Sequence, residues 1–90
     1  MQDSILLIED EEALRMTLGD RLRKEGYTVA CAADGDEGFE KAASLPFDLI
    51  VLDVMLPGRS GFTVCEDIRK AGLATPVLML TARARTADKV

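Results

Sequence analysis

The most informative segment of the chain covers residues 49–61 and reads LIVLDVMLPGRSG. Its first four residues are apolar, with no polar alternation. This pattern is typical of a parallel strand that helices cover on both faces. Pro57 and Gly58 then favour a loop that separates the strand from the next helix. The segment therefore predicts a buried strand that carries one carboxylate, Asp53, at its carboxyl end.

Similar apolar runs lie on both sides of this segment. Residues 5–8 read ILLI, residues 77–80 read VLML, and residues 28–31 form a weaker run, TVAC. Helical patterns separate the runs. They cover about residues 11–24, 35–43 and 61–71. The resulting order, β-α-β-α-β-α-β, predicts an α/β domain with right-handed crossovers.

Each predicted helix has one face that we expect to be buried. The apolar residues at helical spacing are Leu14, Leu18 and Leu22, then Phe39, Ala42 and Ala43, then Phe62, Cys65 and Ile68. Asp34 precedes the second helix and is expected to cap it. With 90 residues, 48% of them hydrophobic, the chain can bury the core of one small domain.

The composition excludes several kinds of site. Because the chain has no histidine, it has no Ser-His-Asp relay, no Cys/His zinc site and no imidazole base. Cys31 and Cys65 do not form a CxxC pair, so we expect reduced, core-filling thiols in a cytoplasmic protein. No apolar run is long enough to span a membrane.

The chain is strongly acidic. Sixteen acidic and eleven basic residues give a formal net charge of −5. An acidic domain is a poor nonspecific binder of nucleic acid, because neutralising phosphates needs a basic face. The same acids are candidates for holding a hard cation through carboxylate oxygens.

Acidic and hydroxyl side chains follow three of the predicted strands. Glu9 and Asp10 follow the first strand, Asp53 ends the third and Thr81 follows the fourth. Ligands of parallel sheets bind outside the carboxyl ends of the strands, so we expect these four side chains at one edge. Three converging carboxylates would repel one another, and a divalent cation relieves that conflict. Magnesium fits best, with manganese or calcium as alternatives.

A bound cation would also prepare this edge for phosphoryl chemistry. It would neutralise charge on an incoming phosphoryl group, so that Asp53 could attack phosphorus and form an acyl phosphate. The Thr81 hydroxyl could donate to a phosphoryl oxygen. Structural roles stay open: Glu9 and Asp10 could complement a helix dipole, and Asp53 could be a turn cap.

These motifs resemble the receiver domain of bacterial two-component response regulators. Residues 49–61 resemble the phosphoacceptor strand of that family and its following loop. Residues 5–11, ILLIEDE, resemble its first strand with the acidic pair, and residues 75–82, TPVLMLTA, resemble its fourth strand with a switch threonine. Residues 33–35 and 86–90 match weaker family patterns.

The resemblance implies a role for each matching residue. Asp53 would accept a phosphoryl group from a phosphohistidine on a sensor histidine kinase. Glu9 and Asp10 would bind magnesium together with Asp53, and the backbone carbonyl of Met55 would be a further ligand. Thr81 would move to bind the phosphoryl group. The implied fold is flavodoxin-like, with a parallel sheet of order 2-1-3-4 in this chain.

The chain also departs from the family pattern. Its residues end at Val90, after what looks like the start of a fourth helix at 86–90, and no fifth strand with its lysine and no fifth helix follows. We therefore expect residues 1–90 to be the N-terminal portion of a truncated receiver domain, with impaired switching. The fourth strand would be an uncharged, apolar edge, which predicts self-association through that strand, as a homodimer for example.

Two other functions remain as alternatives. The first is a phosphatase that forms an aspartyl phosphate. Enzymes of the haloacid dehalogenase type place a second Asp two positions after the nucleophile, where this chain has Met55. The second is a scaffold or dimerisation fragment that keeps the fold without being phosphorylated. Nucleotide binding is disfavoured because neither GxGxxG nor GxxxxGK[ST] occurs.

Overall fold

Strands and helices alternate along the chain in the predicted order. A computed structural model describes residues 3–80, and residues 1, 2 and 81–90 lie outside that description. The strands are β1 Ser4–Ile8, β2 Thr28–Ala32, β3 Leu49–Asp53 and β4 Val77–Leu80. The helices are α1 Glu12–Lys24, α2 Gly35–Ser44 and α3 Gly61–Lys70. The helix predicted to start at residues 86–90 lies outside the described residues.

The four strands form one parallel sheet of order β2-β1-β3-β4, as predicted. In its register, Ile8 of β1 pairs with Leu52 of β3, and Asp53 of β3 pairs with Leu80 of β4. Parallel pairing brings the carboxyl ends of β1 and β3 to the same edge of the sheet. That edge carries the acidic residues predicted to act together.

The central strands β1 and β3 bury both of their faces, which explains their lack of polar alternation, whereas Leu78 of β4 is 54% exposed. Leu6, Ile8 and Leu52 belong to the cluster that packs against α2 and α3, whereas Ile5 and Leu7 belong to the cluster that contacts α1. Leu6, Leu7, Ile8 and Leu52 have no exposed surface. Burying each such side chain contributes about 1.5–3 kcal/mol. The central strands β1 and β3 are therefore the rigid support for the acidic edge.

The helices bury mostly the expected faces, with two corrections. Leu18 and Leu22 pack against the α1-side cluster, and Ala42 is buried in α2. Ala43, however, is exposed, because it lies one residue, and so about 100°, around the helix from Ala42. Phe62 is 64% exposed, whereas Val64, not among the expected core residues, is fully buried with Ile68.

The buried face of α3 thus runs through Val64 and Ile68, at spacing i, i+4, and Phe62 lies off it. Cys65 packs at the margin of this cluster and Cys31 at the margin of the other. Both cysteines are free and half-buried, in agreement with the expected core-filling role. Asp34 caps α2 as predicted, since its Oδ1 accepts a 2.8 Å hydrogen bond from the Glu37 backbone N–H.

Candidate functional site

Three carboxylates meet where β1 and β3 end. Glu9 directly follows β1, Asp10 comes next, and Asp53 is the last residue of β3. Each offers one oxygen such that these oxygens all lie within 4.8 Å of one another. The structure therefore brings together three of the four side chains expected at this edge.

The three carboxylates differ in their exposure to solvent. Glu9 and Asp53 have no exposed surface, while Asp10 is exposed at the mouth of the cluster. Charges this close repel one another, and burial adds a desolvation penalty to each ionised group. An oxygen-only donor set with two buried carboxylates and one open side fits magnesium, which takes few protein ligands and keeps several waters. The residues present thus fit the ion.

The β1–α1 connection is held by hydrogen bonds to Glu9. Its Oε2 accepts a 2.9 Å hydrogen bond from the Glu11 backbone N–H, and its own N–H donates to the Ala32 carbonyl at 3.0 Å. Arg15, one turn into α1, donates to the Glu9 carbonyl at 2.8 Å. Sequence reasoning missed Arg15, because its contact is with a backbone carbonyl six residues earlier, which leaves no side-chain pattern in the sequence.

Asp53 is enclosed by the loop that follows it. The Met55 backbone N–H donates to Asp53 Oδ1 at 3.2 Å, so the backbone at Met55 lies beside the carboxylate, while its side chain is 59% exposed. The Gly61 N–H donates to the Val54 carbonyl at 2.7 Å and closes the loop. A Cβ on Gly61 would collide with the Asp53 carbonyl oxygen, so this close approach requires glycine.

The same loop is tied to helices on either side by Arg59. Its guanidinium pairs with Asp36 of α2 and Asp67 of α3. Ser60 then caps α3, since its Oγ accepts a 3.2 Å hydrogen bond from the Thr63 N–H. Sequence reasoning assigned nothing to Arg59, because its partners lie on two separate helices at no fixed sequence spacing.

A second polar network lies at the start of α2. The Ala33 backbone N–H donates to Glu37 Oε1 at 2.9 Å, and Lys41 Nζ lies 3.2 Å from Glu37 Oε2. The backbone hydrogen bond from Ala33, followed by the contact with Lys41, holds the pKa of the Glu37 carboxyl below its ordinary value of 4.5. Lys41 also donates to the Cys31 carbonyl at 2.6 Å, so this network joins β2 to α2.

Thr81, the fourth predicted site residue, lies outside the described residues. Leu80, which precedes it, is the register partner of Asp53. The assignment of Thr81 as a switch residue stays a prediction. Within residues 3–80, no helix is both long and apolar enough to cross a bilayer.

Comparison with protein families identifies this architecture. Residues 5–90 match the family model described as the response regulator receiver domain. The transcriptional regulatory protein DltR of Streptococcus agalactiae is 44% identical over 86 residues, or 96% of this chain and 38% of that protein. The alkaline phosphatase synthesis transcriptional regulatory protein PhoP of Bacillus subtilis is 46% identical over 90 residues, or 100% of this chain and 38% of that protein. The chain thus spans well under half the length of these relatives.

Solved structures show the same fold. The response regulator TrrA of Thermotoga maritima, determined in complex with Mg(2+)-BeF, has a TM-score of 0.86 and 34% identity, over 100% of this chain and 77% of that one. The receiver domain of sensor histidine kinase PA1611 of Pseudomonas aeruginosa has a magnesium ion coordinated in its active site cleft. Its TM-score is 0.87 and its identity 32%, over 99% of this chain and 75% of that one. The family model, the relatives and the parallel sheet with its acidic edge agree, and the chain belongs to the family of response regulator receiver domains.

Proposed function

We propose that Asp53 accepts a phosphoryl group from the phosphohistidine of a sensor histidine kinase, with magnesium held beside it. Receiver domains are phosphoacceptor modules of two-component signalling rather than classical enzymes. The observation that carries the assignment to Asp53 is its place at the end of a buried strand, with its carboxylate within 4.8 Å of those of Glu9 and Asp10.

Magnesium is the ion we propose for this cluster, with manganese as a substitute. Its ligands would be carboxylate oxygens of Asp10 and Asp53, Glu9 directly or through water, and the backbone carbonyl of Met55. Two solved relatives hold magnesium in the corresponding fold, and the oxygen-only donor set here suits the same ion. When bound, the ion neutralises negative charge on the phosphoryl oxygens.

The side chains would then perform a simple substitution. A carboxylate oxygen of Asp53 attacks phosphorus as the P–N bond to the donor histidine breaks, and the histidine nitrogen leaves with the bonding electron pair. The product is an acyl phosphate on Asp53. The Met55 N–H, which is bonded to Asp53 Oδ1 at 3.2 Å, would hold that oxygen in place relative to the loop. The Thr81 hydroxyl would donate to a phosphoryl oxygen and so report phosphorylation.

The proposal extends to the longer protein of which this domain would be a part. Residues 1–90 would form the N-terminal portion of a receiver domain, because the chain covers 75–77% of two solved receiver structures. DltR and PhoP are described as transcriptional regulatory proteins, which supports an output that controls transcription. Phosphorylation of Asp53 would govern that output.

Incubation with acetyl phosphate and magnesium, followed by intact mass spectrometry, tests the proposal. The wild-type chain should gain one phosphoryl group, and Asp53→Asn should gain none. Asp20→Asn is the matched control, because it removes the same charge from an exposed position on α1. A folded wild-type chain that gains nothing would instead favour a scaffold domain that is not phosphorylated.

We also propose that the 90-residue chain self-associates along β4. Within residues 3–80, β4 is the last strand of the sheet, it carries no charge, and Leu78 is 54% exposed. Strands of this composition pair readily with a second copy. Light scattering after size exclusion should show a dimer that Leu78→Lys disrupts, and a clean wild-type monomer would contradict this proposal.

A further inference from the structure

The β3–α3 loop, residues 54–60, is fastened to two helices by one side chain. Arg59 Nη2 lies 2.8 Å from Asp36 Oδ1 in the first turn of α2. Arg59 Nη1 lies 2.9 Å from Asp67 Oδ2 in α3. A planar guanidinium presents several donors in a fixed fork, so one arginine holds two carboxylates at once, which an ammonium group does poorly.

The same guanidinium also packs on an aromatic ring. Its Cζ atom lies 5.2 Å from the centroid of the Phe39 ring, which is a second contact with α2. The Arg59 side chain is 29% exposed and that of Asp67 is 31% exposed, so their ion pair is partly shielded from solvent. Partial shielding makes such a pair stronger than a fully exposed one.

The backbone of the loop is pressed against α2 at the same place. A Cβ built on Gly35, the first residue of α2, would lie 2.7 Å from the Arg59 carbonyl oxygen. It would also lie 2.9 Å from the Arg59 Cβ, so only glycine permits this approach. Backbone packing and the Arg59 side chain thus hold the loop in one position relative to α2.

We propose that Arg59 is a positioning residue for the magnesium and phosphoacceptor site, an inference that rests on the proposed function. The loop that Arg59 anchors begins directly after Asp53 and carries Met55, whose N–H bonds Asp53 Oδ1 and whose carbonyl is the proposed backbone ligand. Contacts outside the ligand set orient the ligands and so determine metal affinity. Loss of the Arg59 contacts would let the loop move and displace the Met55 carbonyl from the position in which it would bind the ion.

A positioning role and a simple charge effect predict opposite changes in Mg²⁺ affinity when Arg59 is removed. Arg59 carries a positive charge in a domain of net charge −5. Removing this charge removes a repulsion between the domain and the cation, so electrostatics alone would strengthen Mg²⁺ binding. A positioning role predicts the opposite, weaker binding of magnesium. The direction of the change in affinity therefore separates positioning from a simple charge effect.

The experiment is a calorimetric titration of Mg²⁺ into the wild-type chain and into Arg59→Ala, Asp67→Asn and Arg21→Ala. We expect Arg59→Ala to raise the Kd for Mg²⁺ about 3- to 10-fold, below the 10- to 100-fold typical of residues that contact a ligand directly. Asp67→Asn leaves the arginine in place and should raise the Kd by a smaller factor. Arg21→Ala removes the same charge from an exposed pair with Glu25 and should not weaken binding.

Hydrogen exchange of the metal-free chain provides a second measurement. The Met55 and Gly61 amides, which are bonded to Asp53 Oδ1 and to the Val54 carbonyl, should exchange faster in Arg59→Ala. The Leu7 amide in the central strand β1 should be unchanged, which also shows that the variant is folded. Should Arg59→Ala fail to fold, Asp67→Asn tests the positioning role through faster exchange at Met55 and Gly61, because its loss of a negative charge weakens Mg²⁺ binding by itself.

The outcomes separate the two proposals. A Kd for Arg59→Ala equal to or below that of the wild type overturns the positioning role, whether or not exchange at Met55 and Gly61 changes. If Asp53→Asn weakens Mg²⁺ binding but Arg59→Ala does not, the magnesium site stands and only the positioning role fails. If neither Asp53→Asn nor Asp10→Asn alters Mg²⁺ binding, the proposed site is wrong and this inference fails with it.

Discussion

Glu9 and Asp53, distant in the sequence, lie side by side at the ends of neighbouring parallel strands. Ile8 pairs with Leu52, so the next residue of each strand reaches the same edge of the sheet. Both carboxylates are fully buried there, and Asp10 completes the cluster from the solvent side. Register thus converts two separate acidic positions into one anionic pocket.

The exposed member of the cluster offers the cleanest test of metal binding. Asp10→Asn removes a negative charge without opening a cavity, because the side chain is exposed. We expect the Kd for Mg²⁺ to rise about tenfold or more. Two opposite unit charges about 4 Å apart attract each other by about 1–4 kcal/mol in a partly solvated site, and Asp10→Asn removes one such attraction to the ion. Isothermal titration calorimetry measures the effect. Asp20→Asn serves as the charge-matched control, and an equal loss in both variants would argue against a specific site.

The loop closure at Gly61 is predicted to be intolerant of a side chain. Gly61→Ala forces a Cβ into the Asp53 carbonyl and the Val54 backbone, which cannot move without displacing the end of β3. We expect the free energy of unfolding in urea to fall by about 1–3 kcal/mol. Phosphorylation by acetyl phosphate should slow as well.

Thr63→Ala, at an exposed position two residues further into α3, is the control for the Gly61 variant. It should leave the rate of phosphorylation close to that of the wild type. Similar phosphorylation rates for Gly61→Ala and the wild type would show that the closure does not position Asp53.

The buried face of α3 can be tested by truncating its two largest apolar side chains. Ile68 has no exposed surface, so Ile68→Ala should lower the free energy of unfolding by about 2–5 kcal/mol. Phe62 is 64% exposed, and Phe62→Ala should change the same quantity by about 0.5 kcal/mol or less. Urea titrations followed by circular dichroism measure both values. A larger loss for Phe62→Ala than for Ile68→Ala would mean that α3 is rotated.

The network at Glu37 predicts a dependence of stability on pH. Because the pKa of Glu37 is lower in the folded chain than its ordinary value of 4.5, the folded state binds this proton less readily than the unfolded state does. The stabilisation is therefore fully present above pH 4.5 and is lost as pH falls through the lowered folded pKa.

Comparison of the wild type with Glu37→Gln measures this contribution. The difference in their free energies of unfolding should be largest near pH 7 and should shrink below pH 4.5. Glu40→Gln, an exposed position on the same helix, controls for general effects of charge. A difference that grows as the pH falls would contradict the assigned hydrogen bond from Ala33 and the contact with Lys41.

The strands and the acidic edge could be predicted because their signals are local. Apolar runs such as residues 5–8 and 49–52 have no polar face, so they have to be covered on both sides, which requires a parallel sheet between helices. The residue that follows such a strand then lies at the ligand-binding edge, and this places Glu9 and Asp53 before any coordinates are known. The described strand order and the family assignment confirm that interpretation.

Tertiary packing alone decided which face of α3 is buried and what Arg59 contacts. Phe62, Val64 and Ile68 are all apolar, and helical spacing permits more than one buried face among them. The rotation of α3 about its own axis, set by its packing on the sheet, decides that Val64 and Ile68 are the buried residues. Arg59 reaches carboxylates on two helices, an association that depends on how those helices pack and leaves no periodic trace in the sequence. The sequence by itself thus determined the secondary structure and the chemistry at the strand ends. The three-dimensional packing of α2, α3 and their loop decided how that chemistry is held in place.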